Sequence, residues 1–377
     1  MKEAESVDEL LARVVRETKP RSQGIHDVKL SMDPVVRCVD AMLDDAIDMH
    51  ASDIHIEPYG EQAWIRMRVD GCLTVWHREL PREAMRAFIA RIKVMARLDT
   101  TEKRLPLAGR FSYENHDRSI DIRVETVPFL GGEGAVLRIL DGGSGLAVSD
   151  LGFSRRNLEL FMKLINKPGG MLLLAGPTNS GKTTTLYAAL RELADDERSI
   201  VTIEDPPEYH MKGVSQVQVD RKAGLDFASA LKAVLRADPD TVMIGEIRDG
   251  ETAKTAVRAA LSGRRIFSTV HTGRAAGVIP RMLEMGVAPY LLASALSGVA
   301  AQRLLRRAEG RGRIAIQEIY GVDDDMRRAI LDRRDESYIE ELAEQNGMQT
   351  MQSDGMDKAA QGLVTKQEVK RVLYGGI

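Results

Sequence analysis

The sequence predicts an α/β protein in two domains, the first an α+β domain on an antiparallel sheet and the second built around a mostly parallel one. Three observations predict this. The chain has 377 residues, and a single core stops growing at roughly 250–300 residues. Between Asp53 and Leu140 apolar and polar residues alternate as they do in half-buried strands. After Ser154 apolar strands alternate with helices, the rhythm of βα units around a parallel sheet.

The elements follow in order. Ser6 and Glu9 form a capping-box pattern, and Val7, Leu10, Leu11, Val14 and Val15 continue it with helical spacing. This helix reads equally as packing or as a docking helix for a partner. Thr18 to Gly24 reads as a linker, so residues 1–33 form a short N-terminal helix and linker. A second amphipathic helix follows Asp33-Pro34 and runs through Val35, Val36, Val39, Met42, Leu43 and Ile47. Residues 34–141 form the first domain, with strands at Ile54/Ile56, Trp64–Val69, Ile120–Val124 and Val136–Leu140 and a helix over Arg82–Leu98. Asp70-Gly71 is a hairpin turn signal. Asp141 to Gly145 is Gly-rich and marks a flexible boundary. The second domain, 146–377, has strands at Met171–Ala175, Ser199–Ile203, Thr241–Ile244 and Arg265–Val270. Its helices are Lys182–Leu193, Phe227–Leu235 and Glu251–Leu261. From about residue 323 the pattern is helical, with Asp323 as cap for Met326–Leu331.

Composition narrows the function classes. Apolar residues make up 44% and charged residues 29%, as in soluble globular proteins. A net charge of −3 argues against bulk attraction to nucleic acid. The two cysteines, Cys38 and Cys72, cannot build a disulfide framework or a four-ligand zinc site, so a reducing compartment is the simple reading. The N-terminal stretch carries acids where a secretory signal carries positive charge. No run approaches the roughly 20 apolar residues of a membrane span.

The strongest chemical signal is GPTNSGKT, Gly176 to Thr183, placed after the apolar strand MLLLA and before a helix. Its glycines let backbone N–H groups approach phosphate oxygens, and the helix N-terminus adds a favourable dipole. Lys182 is expected to neutralise the β- and γ-phosphates and Thr183 to help hold Mg²⁺. Val242–Glu246 is an apolar strand ending in an acid. It is expected beside the strand that precedes the phosphate loop, with Glu246 reaching Mg²⁺ directly or through water. Ile203–Glu208 places Glu204, Asp205 and Glu208 in a short turn, where they either polarise water and bind metal or form a solvated acidic corner. His271 lies in STVHT, Ser268–Thr272, at a strand end, and is placed either to sense the γ-phosphate or to serve structure. The remaining histidines show no metal spacing. Arg66, Arg68, Arg104, Arg110, Arg123 and Arg138 all lie in the first domain. Phosphate-loop sites often borrow an arginine from a neighbouring domain or subunit, but composition does not select which.

These stretches together resemble one family. ASDIHIEP (Ala51–Pro58), RMRVDG (Arg66–Gly71), RIKVMARLDTTEKRLPLAGR (Arg91–Arg110), GPTNSGKTTTLYAAL (Gly176–Leu190), TIEDPPEY (Thr202–Tyr209), LRADPDTVMIGEIRDGETA (Leu235–Ala253), STVHT (Ser268–Thr272) and AQRLLR (Ala301–Arg306) occur in the order found in the secretion ATPase superfamily. They are most similar to the assembly ATPases of type II secretion systems and type IV pili. The resemblance implies a PAS-like first domain and a RecA-like P-loop second domain. It implies ATP and Mg²⁺ as ligands, with Gly176, Pro177, Thr178, Asn179, Ser180, Gly181, Lys182, Thr183 and Thr184 around the phosphates. Glu208 is then the residue that activates water, Glu246 is linked to Mg²⁺, and His271 belongs to the histidine box. Arg104, Arg110 and Arg123 match the family's arginines that act on the nucleotide across an interdomain cleft. The resemblance further implies a homohexamer at the cytoplasmic face of the inner membrane, held there by a platform protein and a cytoplasmic adaptor, with no specific nucleic acid.

The chain departs from the family pattern at several points. Asn179 stands where glycine is usual, and asparagine tolerates the left-handed conformation better than most residues. Pro207 replaces valine, Leu107-Ala108 replaces Gln-Asp, and Arg264 replaces a histidine. The four-cysteine insertion after AQRLLR is missing, so no zinc is expected, and no long N-terminal partner domain is expected either. The alternatives are a pilus retraction ATPase, a nucleic-acid translocase, a nucleotide-binding scaffold without turnover and a small-molecule phosphotransferase. RMLEMGV (Arg281–Val287) favours the assembly branch over retraction. The net charge disfavours a translocase, and Lys182, Glu208 and Glu246 disfavour a scaffold.

Overall fold

The computed structural model of the protein describes residues 7–18, 32–115, 118–140, 145–310 and 312–375. Ser6 of the capping pattern, the linker after Thr18 and the boundary residues 141–144 lie outside them. The chain divides into two compact units, Met1–Gly142 and Gly143–Ile377. No described helix is long and apolar enough to cross a membrane.

The first unit comprises α1 (Val7–Thr18), α2 (Met32–Asp48), β1 (Ala51–Tyr59), β2 (Gln62–Val69), β3 (Cys72–Pro81), α3 (Arg82–Met95), β4 (Leu107–Asn115), β5 (Arg118–Phe129) and β6 (Gly132–Leu140). Its sheet has the order β3-β2-β1-β6-β5-β4, with every neighbouring pair antiparallel. Alternation decides the two faces. Ile54 and Ile56, Ile65 and Met67, Ile120 and Ile122, and Leu137 and Ile139 are buried in one core with Val39, Met42 and Leu43 of α2 and Phe88 and Ile92 of α3. The intervening positions carry the polar side chains of the opposite face. The hairpin turn places Asp70 at φ 49° and Gly71 at φ 83°, the two positive values that join twisted strands directly. The helix expected over Arg82–Leu98 ends at Met95, and Arg97 enters the left-handed region at φ 55°.

The second unit comprises α4 (Arg155–Ile165), β7 (Gly170–Ala175), α5 (Lys182–Leu193), β8 (Ile200–Glu204), β9 (Ser215–Gln218), α6 (Phe227–Val234), β10 (Thr241–Ile244), α7 (Gly250–Leu261) and β11 (Arg265–Val270). It continues with α8 (Val278–Glu284), α9 (Pro289–Ala295), β12 (Leu296–Arg306), β13 (Arg313–Gly321), α10 (Asp324–Leu331), α11 (Glu336–Gln345), α12 (Met351–Ala360) and α13 (Lys366–Tyr374). The sheet order is β13-β12-β7-β11-β10-β8-β9. All its pairs are parallel except β12 with β13. Both faces are covered. Met171, Leu173 and Ala175 of β7 enter one core with α6 and α7, and Leu172 and Leu174 enter the other with Leu186 and Leu190 of α5. A strand buried on both sides has no polar face, so β7 reads as a continuous apolar run. Asp323 caps α10, accepting from the Met326 N–H at 2.8 Å.

The topology corrects one expectation. β10 does not lie beside β7, because β11 is inserted between them. Glu246 therefore lies two strand spacings, roughly 10 Å, from the β7 end, and His271 follows the intervening strand. Since β7, β8, β10 and β11 are parallel, their C-terminal ends share one edge, which is where such sheets bind ligands.

Candidate functional site

The loop between β7 and α5 is shaped by backbone conformation. Gly176, Asn179 and Gly181 have φ of 149°, 63° and 84°. A Cβ on Gly176 would meet Ser180 Oγ at 2.5 Å and the Gln302 carbonyl oxygen at 2.7 Å, and one on Gly181 would meet Gln302 Nε2 at 2.7 Å. Glycine is needed at both positions for space as well as for φ. Asn179 occupies the left-handed region directly, as its residue type allows.

Several polar groups of this loop fit an anion. Helices α4, α6, α7, α10, α11, α12 and α13 begin on Ser, Asp or Thr side chains that accept from their first turns. Helix α5 begins on Gly181 and has no such cap, so its first N–H groups point into the loop without a side-chain acceptor. Ser180 Oγ is buried and makes no hydrogen bond. Lys182 is 7% exposed, and its ammonium donates to the carbonyls of Gly176 and Pro177, both at 2.7 Å. Burial, and next the charge of Arg303, pull its pKa down to about 8, against the opposing pull of Glu246. A cation held at this cost gains most from an incoming phosphate. Pro177, Thr178, Asn179 and Thr184 are exposed around the loop, and Thr183 is half-buried in the first turn of α5.

The acidic strand ends separate into different roles. Glu246 is mostly buried and accepts from Arg248 through one oxygen, while its other oxygen lies 3.1 Å from His271 Nε2. Ser268 Oγ and Thr269 Oγ1 donate to the carbonyls of Ile244 and Gly245, both at 2.8 Å, and lock the ends of β11 and β10 together. Of the three carboxylates in the acidic turn, Glu204 is buried. It accepts from the Tyr187 hydroxyl, from Thr202 Oγ1 at 2.6 Å and from Gln216 Nε2 at 3.3 Å. Asp205 pairs with Arg221 at 3.4 Å. Glu208 is exposed, and its backbone N–H donates to the Tyr187 hydroxyl at 3.2 Å. Tyr187 thus joins α5 to both ends of the acidic turn. Burial, and next the Glu204 charge, push its phenol far above the usual range, so it remains a donor.

In the first unit, Arg110 of β4 stands opposite Arg123 of β5, Arg123 opposite Arg138 of β6, and Arg138 opposite Asp53 of β1, which stands opposite Arg68 of β2. Asp53 is bonded to Arg138 Nε at 3.0 Å and lies 3.7 Å from Arg68. One face of this sheet therefore carries a row of four arginines around a single acid. Like charges directly opposite are unfavourable, and the row is suited to a polyanion. Arg104 lies apart, on the loop after α3, 88% exposed and paired with Glu102 at 3.2 Å. That loop is anchored from below by buried Lys93, which pairs with Glu133 and donates to the Glu102 carbonyl at 2.5 Å.

Sequence reading passed over Gln302. This buried β12 residue donates from Nε2 to the Ser180 carbonyl at 2.8 Å and accepts from Thr185 Oγ1 at 2.9 Å. It pins the loop and the first turn of α5 to the neighbouring strand. No local pattern marks it beyond its place in the AQRLLR stretch.

Among the described residues no cluster of three or more His, Cys, Asp or Glu is arranged to hold a metal. The oxygen donors Thr183 and Glu246 suit Mg²⁺, which commonly completes its shell with nucleotide phosphates and water.

The sequence and fold are similar to those of known proteins. The chain is 43% identical over 383 residues to the type II secretion system protein E of Pseudomonas aeruginosa, covering 90% of this chain and 75% of that protein. It is 40% identical over 374 residues to the type IV pilus assembly ATPase PilB of Thermus thermophilus, covering 88% of this chain and 42% of the relative. Its fold matches the crystal structure of the pilus retraction motor PilT with bound ADP at a TM-score of 0.65 and 27% identity, covering 88% of this chain and 95% of that one. The Type II/IV secretion system protein profile matches residues 29–371, and the chain belongs to that family.

Proposed function

We propose that this chain is an ATP hydrolase that powers type II protein secretion or the assembly of a pilus or pseudopilus. The observation that supports this most is the convergence of the Gly176–Thr183 loop, Glu208, Glu246 and His271 on one edge of the parallel sheet, in a chain 40–43% identical to secretion and pilus-assembly proteins. In this reading the second unit is RecA-like. Lys182 exchanges the carbonyls of Gly176 and Pro177 for β- and γ-phosphate oxygens, and the α5 N–H groups receive the phosphates. Thr183 and Glu246 would hold Mg²⁺, which would supply neutralisation of the phosphate charge. Glu208 accepts a proton from the water that attacks the terminal phosphorus as the bond to the bridging oxygen breaks, releasing ADP and phosphate. His271 orients Glu246. Arg104, Arg110 and Arg123 stabilise charge on the phosphates.

The working assembly in this proposal is a homohexamer, peripheral at the cytoplasmic face of the inner membrane through a platform protein and a cytoplasmic adaptor. Assembly is favoured over retraction by RMLEMGV and by the higher identity to PilB than to PilT. Purified chain should release phosphate from Mg-ATP, with loss of that activity in Lys182→Ala. Light scattering with a non-hydrolysable ATP analogue should show six subunits. Absence of turnover in well-folded wild-type chain, or a monomer at all concentrations with the analogue, contradicts the respective claim.

A further inference from the structure

Arg303 follows Gln302 on β12. The β12–β7 register pairs Ala301 with Ala175, so Arg303 lies just beyond the point where β7 becomes the phosphate loop. Successive strand residues face opposite ways. Gln302 turns toward α5, and Arg303 turns toward the loop that follows β11. There its NH2 group donates to the Gly273 carbonyl at 2.7 Å, two residues after His271. Its NH1 group donates to the Gln302 carbonyl at 3.2 Å, the same oxygen that a Cβ on Gly176 would strike. One guanidinium thus touches the wall of the phosphate loop and the loop carrying His271.

The electrostatics of this position call for an anion. Arg303 is half-buried, and no carboxylate of the described residues lies within ion-pair distance of it. Burial lowers its pKa, opposed by the more distant Glu318 carboxylate. Burial depresses Lys182 most, and the Arg303 charge adds to that depression. Two partly desolvated cations, one bonded to the Gly176 carbonyl and the other to the Gln302 carbonyl that packs against Gly176, repel each other unless an anion joins them. A guanidinium has five N–H donors in a fixed fork, and the two carbonyl contacts leave others for a ligand.

We propose that Arg303 is a nucleotide-binding residue supplied in cis, forming with Lys182 a two-cation seat for the terminal phosphate of ATP and drawing the His271 loop toward it through Gly273. The inference rests on the reading of Gly176–Thr183 as the phosphate loop. It makes Arg303 a discriminator between ATP and ADP, because only ATP carries the terminal phosphate.

The test compares binding of Mg-ATP analogue and Mg-ADP, by fluorescence or calorimetry, in wild-type, Lys182→Ala and Arg303→Gln proteins. Loss of one charge-assisted contact corresponds to a change of about tenfold or more. Arg303→Gln should therefore weaken ATP-analogue binding by about that factor and leave ADP binding nearly unchanged. Equal weakening of both ligands, or of neither, overturns the proposal. Unchanged binding of both ligands in Lys182→Ala overturns the phosphate-loop reading itself, which separates the two failures. If circular dichroism shows Arg303→Gln to be unfolded, the same ratio is read on Arg303→Lys, which keeps the charge without the fork. A fall in the ATP-to-ADP affinity ratio there supports the proposal, and an unchanged ratio overturns it.

Discussion

His271 Nε2 lies 3.1 Å from Glu246 Oε2, joining the ends of two adjacent parallel strands. Arg248 holds the other oxygen of the same carboxylate. Glu246 is thus held from both sides, and the proposed function has His271 act on the site through it. A double-mutant cycle of Glu246→Gln and His271→Ala should show a coupling of about 0.5–3 kcal/mol in kcat/KM. Additive losses would show that the contact carries no function.

Lys182 provides a proton-linked signature. Its pKa is depressed to about 8 by burial, then by Arg303, while the unfolded chain keeps the ordinary value near 10.4. Between those values the unfolded state binds more protons, so this group makes stability rise with pH from about 8 to about 10. A phosphate beside the ammonium reverses the depression, so ATP binding near pH 8 should take up protons. Calorimetry in buffers of different ionisation enthalpy measures that uptake, and it should vanish in Lys182→Ala.

Asn179 occupies φ 63° with an exposed side chain. Asn179→Gly should leave stability and nucleotide affinity close to wild type. Asn179→Val places a β-branched residue in the left-handed region and should cost about 1–3 kcal/mol, read as a lowered melting midpoint. Equal midpoints for both variants would show that the loop does not hold this conformation in solution.

Gln302→Leu keeps much of the side-chain volume but removes both hydrogen bonds. The buried Ser180 carbonyl and Thr185 hydroxyl then lose their partner, at about 1–3 kcal/mol for each group left unsatisfied. Thermal or urea unfolding should show the loss, together with weaker nucleotide binding. Unchanged affinity would show that the loop holds its shape without the strand.

The phosphate loop was legible because its chemistry is local: glycines, Lys182 and Thr183 are contiguous, and the flanking apolar strand and helix declare themselves. The remaining site is not local. Three carboxylates in one turn look alike in sequence, and the side-chain donors Tyr187, Thr202 and Gln216 that surround Glu204 distinguish it from exposed Glu208. The insertion of β11 between β7 and β10 is a matter of crossover order that strand composition does not encode. Strand β12 ends in AAQRLLR, Ala300–Arg306, built from Ala, Gln, Arg and Leu, residues at home in helices. Its extended form comes from pairing with β7 on one side and β13 on the other. Gln302 and Arg303 acquire their positions only through that pairing.

The central claim is that this sheet edge hydrolyses ATP with Glu208 as the group that activates water. Nucleotide binding and single-turnover hydrolysis measured together on Glu208→Gln test it most directly. The account predicts ATP affinity within about threefold of wild type and hydrolysis slowed by about 10²-fold or more, in the range of a lost general base. Wild-type hydrolysis in this variant would contradict it.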